Sequence, residues 1–171
     1  MAQEERTGYY QVLKPYLDSG DIKIVSEQFN KGWSSESARA QVENALTKAN
    51  NDVVAIVAGN DGVAYGAIQA LQAQGLAGKV WVNGVDAEPR AQELISQGVM
   101  TLSNFTDYCQ SGTAAADLAL KLAKGEDLGL STTFNNGLKE VPWFQVDHLN
   151  ATKDNLGELA QRLPWWFKAP S

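Results

Sequence analysis

Cysteine and histidine are nearly absent from this sequence, which has one of each, Cys109 and His148, in 171 residues. A lone cysteine excludes a disulfide framework within the chain, and one cysteine with one histidine excludes a zinc site built from such ligands. Basic charge is also scarce. With Lys+Arg 14 against Asp+Glu 20 the formal charge is −6, and the cations are scattered, which excludes the clustered basic surface that nucleic acid requires. No run approaches the roughly 18 apolar residues that span a bilayer. The start Met1-Ala2-Gln3-Glu4-Glu5-Arg6 lacks the basic-then-apolar order of a signal peptide. Internal repeats and low-complexity tracts are missing too. What remains is a chain with 44% hydrophobic residues, long enough to bury a core as one domain.

Helix and strand signals alternate along it. Tyr9, Val12, Leu13, Tyr16 and Leu17 recur at helical spacing and predict a helix over 3–17, stopped by Asp18-Ser19-Gly20. Ile22-Lys23-Ile24-Val25 reads as a short strand. Ser34 or Ser35 is expected to cap a second helix to about residue 49. The run 53–58 is apolar throughout, as in a parallel strand covered on both faces. Asp61 is expected to cap a helix over 63–73, with Gly75 in the left-handed position beyond it. Val80-Trp81-Val82 is the next strand, with Trp81 in the core. Asp86 is expected to cap a helix that has Pro89 in its first turn and closes at Gly98. A fourth strand is expected over 99–102 and a fifth helix over 111–124. Beyond Gly125 the pattern loosens into a loop-rich stretch, a strand over 141–146 and a short helix over 155–162. Pro164-Trp165-Trp166-Phe167 gathers aromatic side chains at the end, where burial requires docking on something. The alternation predicts an α/β fold, an open doubly wound parallel sheet.

In such sheets ligands bind beyond the carboxyl ends of the strands, here the loops 26–33, 59–61, 83–86 and 103–106. These loops offer an indole, amides and carboxylates, without a histidine or thiol. That set suits hydroxyl-rich ligands: carboxylates and amides satisfy sugar hydroxyls, and an aromatic ring stacks on the apolar C–H face. Trp33, Asn60 and Asp86 supply those parts. Asp61 is explained by capping alone, Asp86 can cap and contact a ligand at once, and Trp33 by itself fits loop packing as well as a sugar platform. The turn Gly59-Asn60-Asp61-Gly62 lacks the spacing and the Lys-Ser/Thr pair of a phosphate loop. No nucleophile, base and orienting group can be assembled, so no enzyme, cofactor or metal is expected.

The residues then resemble a known family, the sugar-binding proteins of bacterial ABC transporters, and within it the D-xylose-binding receptors. The likeness runs through Val12-Leu13-Lys14-Pro15-Tyr16, Asp18-Ser19-Gly20, Gly32-Trp33, Glu43-Asn44-Ala45-Leu46-Thr47, Asn60-Asp61, Gly66-Ala67-Ile68-Gln69-Ala70-Leu71, Ala73-Gln74-Gly75-Leu76 and Asn135-Asn136-Gly137-Leu138-Lys139. It fades after about residue 155. The resemblance implies a single lobe of a type I periplasmic binding protein, with sugar contacts at Trp33, Asn60 and Asp86; Asp61 and Thr106 are secondary candidates. It also implies location in the periplasm or at the outer face of the membrane, and partnership with an ABC transporter permease or a membrane sensor.

Two positions depart from the xylose receptors: Val85 stands where they carry Gln, and Thr106 where they carry a ligand-contacting Lys. A lost charged donor costs about 1.5–3 kcal/mol, which leaves the preferred sugar open among pentoses and hexoses. A larger departure is length, since the chain begins at the first helix of the second lobe. The expected organisation is a lobe core over 1–107, a segment over 108–145 that belongs to the missing lobe in the family, and a return segment over 146–171. An exposed sheet edge and an uncovered fifth helix predict self-association, with exchange of the 104–145 region between two chains. Weak monosaccharide binding is expected of one lobe. A dimerising or sensor-docking domain with a vestigial site, and the effector core of a sugar-responsive transcription regulator, are the competing readings; the latter lacks a helix-turn-helix.

Overall fold

The computed structural model describes residues 2–168. Helix α1 (Ala2–Ser19) runs through Pro15. A 3-10 turn (Lys31–Trp33) leads to α2 (Ser35–Lys48), which Ser34 caps by accepting the Ser37 amide. Strand β1 (Ala55–Ile56), α3 (Asp61–Ala73), β2 (Trp81–Val85), α4 (Pro89–Ser96), β3 (Leu102–Thr106) and α5 (Tyr108–Lys124) follow. The rest comprises β4 (Thr133–Asn135), β5 (Glu140–Pro142), β6 (His148–Thr152) and α6 (Leu156–Arg162). The main sheet has the order β1-β2-β3-β6, with β1, β2 and β3 parallel; β4 and β5 form a separate antiparallel ribbon. This is the open α/β architecture expected from the alternation.

The chain divides into two compact units, one running to Asn104 and resuming at Asn150, the other Phe105–Leu149. The first unit's core is drawn from every layer: Leu46 of α2, Ile68 and Leu71 of α3, Val82 of β2, Ile95 of α4, Ala151 of β6 and Leu156 of α6 are fully or almost fully buried. In the second unit α5 buries none of its residues, and Leu120 and Leu122 are exposed. Asp107 caps α5 by accepting the Gln110 amide, which starts the helix three residues before the expected Ser111.

Several sequence expectations are corrected. The stretch 22–25 is not a strand; the Ile22 amide closes the end of α1 on the Tyr16 carbonyl, and no described strand pairs with the segment. The run 53–58 is not covered on both faces: only Ala55–Ile56 is laddered, Val54 is 82% exposed and Val57 is half exposed. The Trp81 amide donates to the Val54 carbonyl at 3.0 Å, so Ala55 and Val57 turn their own peptide groups to the opposite edge, which no described strand pairs. Both stretches line a cavity of about 600 Å3, with Tyr9, Leu13, Ile24, Val42, Val54 and Val57 among its walls.

Trp81 is not core. It opens β2 at the strand's N-terminal end, 38% exposed, while Val80 before it turns inward. The fourth strand lies later than 99–102, because the Val99 and Met100 amides both close the end of α4 on the Leu94 carbonyl; pairing starts at Leu102. Residues 141–146 are not one strand, since β5 ends at Pro142 and β6 begins at His148. The helix caps differ as well. Asn60, not Asp61, caps α3 by accepting the Val63 amide at 2.8 Å. Asp86 does not cap α4, whose N-cap is Glu88, without a side-chain bond.

Candidate functional site

The candidate residues sit at the carboxyl ends of β1 and β2, and short-range bonding fixes each one. Asn30 braces the turn that carries Trp33: its Oδ1 accepts the Ser34 amide at 2.7 Å and its Nδ2 donates to the Ser34 carbonyl at 2.9 Å. Trp33 itself has φ 55 and remains 36% exposed. Its ring lies directly over Gly59, where a Cβ would come within 2.8 Å of the indole and 3.0 Å of the Glu5 carboxylate. Only glycine admits that approach. Asn60 follows, its Oδ1 held by the Val63 amide. Asn83 is buried and extends the sheet beside it, accepting from the Ala58 amide at 2.9 Å and donating to the Ala58 carbonyl at 3.2 Å.

Asp61 projects inward rather than into the cleft. It is fully buried, accepts the Ser103 hydroxyl at 2.6 Å and the Glu88 amide at 2.8 Å, and packs where Gly84 leaves room: a Cβ there would lie 2.1 Å from Asp61 Oδ1. Burial pushes its pKa up to about 7, against the pull of those two donors, with the charges of Glu88 and Asp86 adding to the rise. Asp61 therefore braces the β2–α4 turn.

Asp86 lies on that turn with φ 104, followed by Ala87 with φ 49. Non-glycine residues hold such angles only when the surroundings impose them, at a cost of about 1–3 kcal/mol each. Here the Asp86 amide donates to the Asn104 carbonyl at 2.7 Å, the Ala87 amide to Ser103 Oγ at 2.9 Å and the Glu88 amide to Asp61. Asp86 is close enough to raise the carboxyls of both Glu5 and Asp61, though burial is the larger cause in each. The structure thus gathers Trp33, Asn60 and Asp86 at one end of the sheet, and adds Glu5 from the first turn of α1. Sequence reasoning missed Glu5, whose only signal was an acidic residue in a helix's first turn. Thr106 belongs to the second unit, where its Oγ1 is 3.2 Å from His148 Nδ1.

The aromatic end docks on its own chain. Phe167 is 1% exposed, and the Trp166 indole donates to the carbonyls of Ala87 at 2.9 Å and Asp86 at 3.2 Å. No group of three or more metal-ligating side chains occurs among the described residues.

An indole, an amide and two carboxylates thus stand at one end of a parallel sheet. Residues 2–127 match the family model described as a periplasmic binding protein domain. The D-xylose-binding periplasmic protein of Escherichia coli K12 is 44% identical over 151 residues, covering 88% of this chain and 46% of that protein. Its namesake from Haemophilus influenzae is 42% identical over 153 residues, covering 90% and 46%. Among solved structures, an ABC transporter periplasmic solute-binding protein from Actinobacillus succinogenes with bound D-allose has a TM-score of 0.65 and 32% identity, over 84% of this chain and 46% of that one. The carbohydrate transporter solute-binding protein of Chloroflexus aurantiacus, solved with D-glucose, has a TM-score of 0.80 at 23% identity over 93% and 54%, a likeness of fold. The chain spans about half the length of the relatives it matches. It belongs to the family of periplasmic binding protein domains.

Proposed function

We propose that this chain is one sugar-reading lobe of an ABC-type carbohydrate uptake receptor, that its ligand is a monosaccharide of the xylose-like pentose type, and that it acts in the periplasm. The observation that carries the reading is the meeting of Trp33, Asn60 and Asp86 at the carboxyl end of the sheet. In this reading the indole stacks on the pyranose ring, and Asn60 and Asp86 bond its hydroxyls. The names of the E. coli and H. influenzae relatives favour xylose; Thr106, in place of a charged donor, weakens that preference and admits other pentoses and hexoses.

Relatives are about twice as long as the chain, covered only to 46%. A single wall leaves much of a sugar in water, whereas enclosed sites cover roughly 70–90% of a ligand's surface. Binding by this lobe alone is therefore weak, about 1 mM or weaker. The uncovered peptide edge at Ala55 and Val57 supports a second proposal of this reading, that the lobe associates with a second copy or with a second lobe. The segment 108–145 is the part that crosses to that second lobe, and exchange of the 104–145 region between two copies is one route to such a dimer. Titration of tryptophan fluorescence with pentoses and hexoses tests the site: a response that Trp33→Ala abolishes supports it, and silence with every sugar refutes it.

A further inference from the structure

Asp86 reads a ligand only if its turn is held, and that turn has two supports. One is the sheet side, where the Asp86, Ala87 and Glu88 amides are all bonded to Asn104, Ser103 and Asp61. The other comes from the far end of the sequence. The Trp166 indole N–H is shared between the Ala87 and Asp86 carbonyls. Gln92, itself buried, donates to the Ala87 carbonyl at 2.8 Å and the Trp166 carbonyl at 3.2 Å, and accepts the Lys168 amide at 3.0 Å. Phe167 is buried beside it.

We infer that the segment 165–168 is a strap whose Trp166 indole positions Asp86 for the sugar. The inference rests on Asp86 being a sugar contact as proposed above. Backbone at φ 104 and φ 49 relaxes toward ordinary angles once the indole donor is lost and only Gln92 still holds the Ala87 carbonyl. A carboxylate that must meet one hydroxyl within hydrogen-bond range loses its aim with a shift of about 1 Å. Trp166 is accordingly a positioning residue, acting through Asp86 without touching the ligand. The sheet-side amides fix where the turn starts and ends; the indole, with Gln92 at Ala87, fixes the two carbonyls between them.

The test uses the full chain with Trp166→Phe, which keeps an aromatic ring and removes the N–H donor. A second variant places benzothienylalanine at 166, which has the indole's shape with sulfur in place of N–H and so survives if the Phe variant misfolds. Amide exchange by NMR is expected to quicken about tenfold at Ala87 and Glu88, with Leu71 unchanged. Sugar affinity is expected to fall about tenfold, the loss of one hydrogen bond's worth of positioning. In an Asp86→Ala background the same change is expected to cost nothing further, because the strap acts through Asp86. Unchanged exchange at Ala87 and Glu88, or losses that add in the double variant, would overturn the inference. If the wild-type chain bound no sugar, the receptor reading would fall and the exchange rates alone would uphold or overturn the clamp on the turn.

Discussion

Ser103 donates its hydroxyl to Asp61 at 2.6 Å, joining β3 to the start of α3 where neither side chain is reached by solvent. The pair makes stability depend on pH. With its pKa raised from 3.8 to about 7, Asp61 holds a proton in the fold that the unfolded chain releases. Its contribution is complete below about pH 3.8 and is lost as pH rises through about 7. Urea denaturation of the wild type minus that of Asp61→Asn should therefore show a wild-type advantage that shrinks across this range. A difference that is flat with pH would mean that Asp61 is not protonated in the fold.

Glycine at 66 is a packing requirement between α2 and α3. A Cβ there would lie 2.0 Å from the Ser35 carbonyl oxygen and 2.9 Å from the Arg39 amide, both backbone. Gly66→Ala is expected to cost about 1–3 kcal/mol or more in denaturant melts. Gly112, inside α5, meets nothing within 4 Å; Gly112→Ala should instead stabilise by about 0.5–1 kcal/mol. Equal effects at the two positions would contradict this packing.

The alternation of helices and strands was legible because each helix carried its own signal: Ser34 as cap, Pro89 in a first turn, Gly75 and Gly98 with positive φ after helix ends. Local signals could not settle what depends on a neighbour. Ile22-Lys23-Ile24-Val25 has strand residues but no strand beside it, and the 53–58 run is apolar for a cover the described residues do not supply. At the site, Trp33, Asn60 and Asp86 could be read from loop position and chemistry. The cap assignments of Asp61 and Asp86 failed for a geometric reason, since burial against Ser103 and a left-handed turn are long-range facts. Glu5 and Trp166 were out of reach because their partners lie 54 and 79 residues away, at Gly59 and Ala87.

The open edge of β1 predicts association. At micromolar concentration, light scattering should report a mass above the monomer, and Val54→Lys, at an exposed position on that edge, should shift it toward the monomer. A wild type that is monomeric across this range would remove the edge as an interface.

Isothermal titration of the purified chain with D-xylose, D-ribose, D-allose, D-galactose and D-glucose tests the central claim most directly. The account predicts saturable binding of at least one of them, near 1 mM or weaker, that Asp86→Ala weakens about tenfold. Absence of binding to all five, or binding that survives Asp86→Ala unchanged, would contradict it.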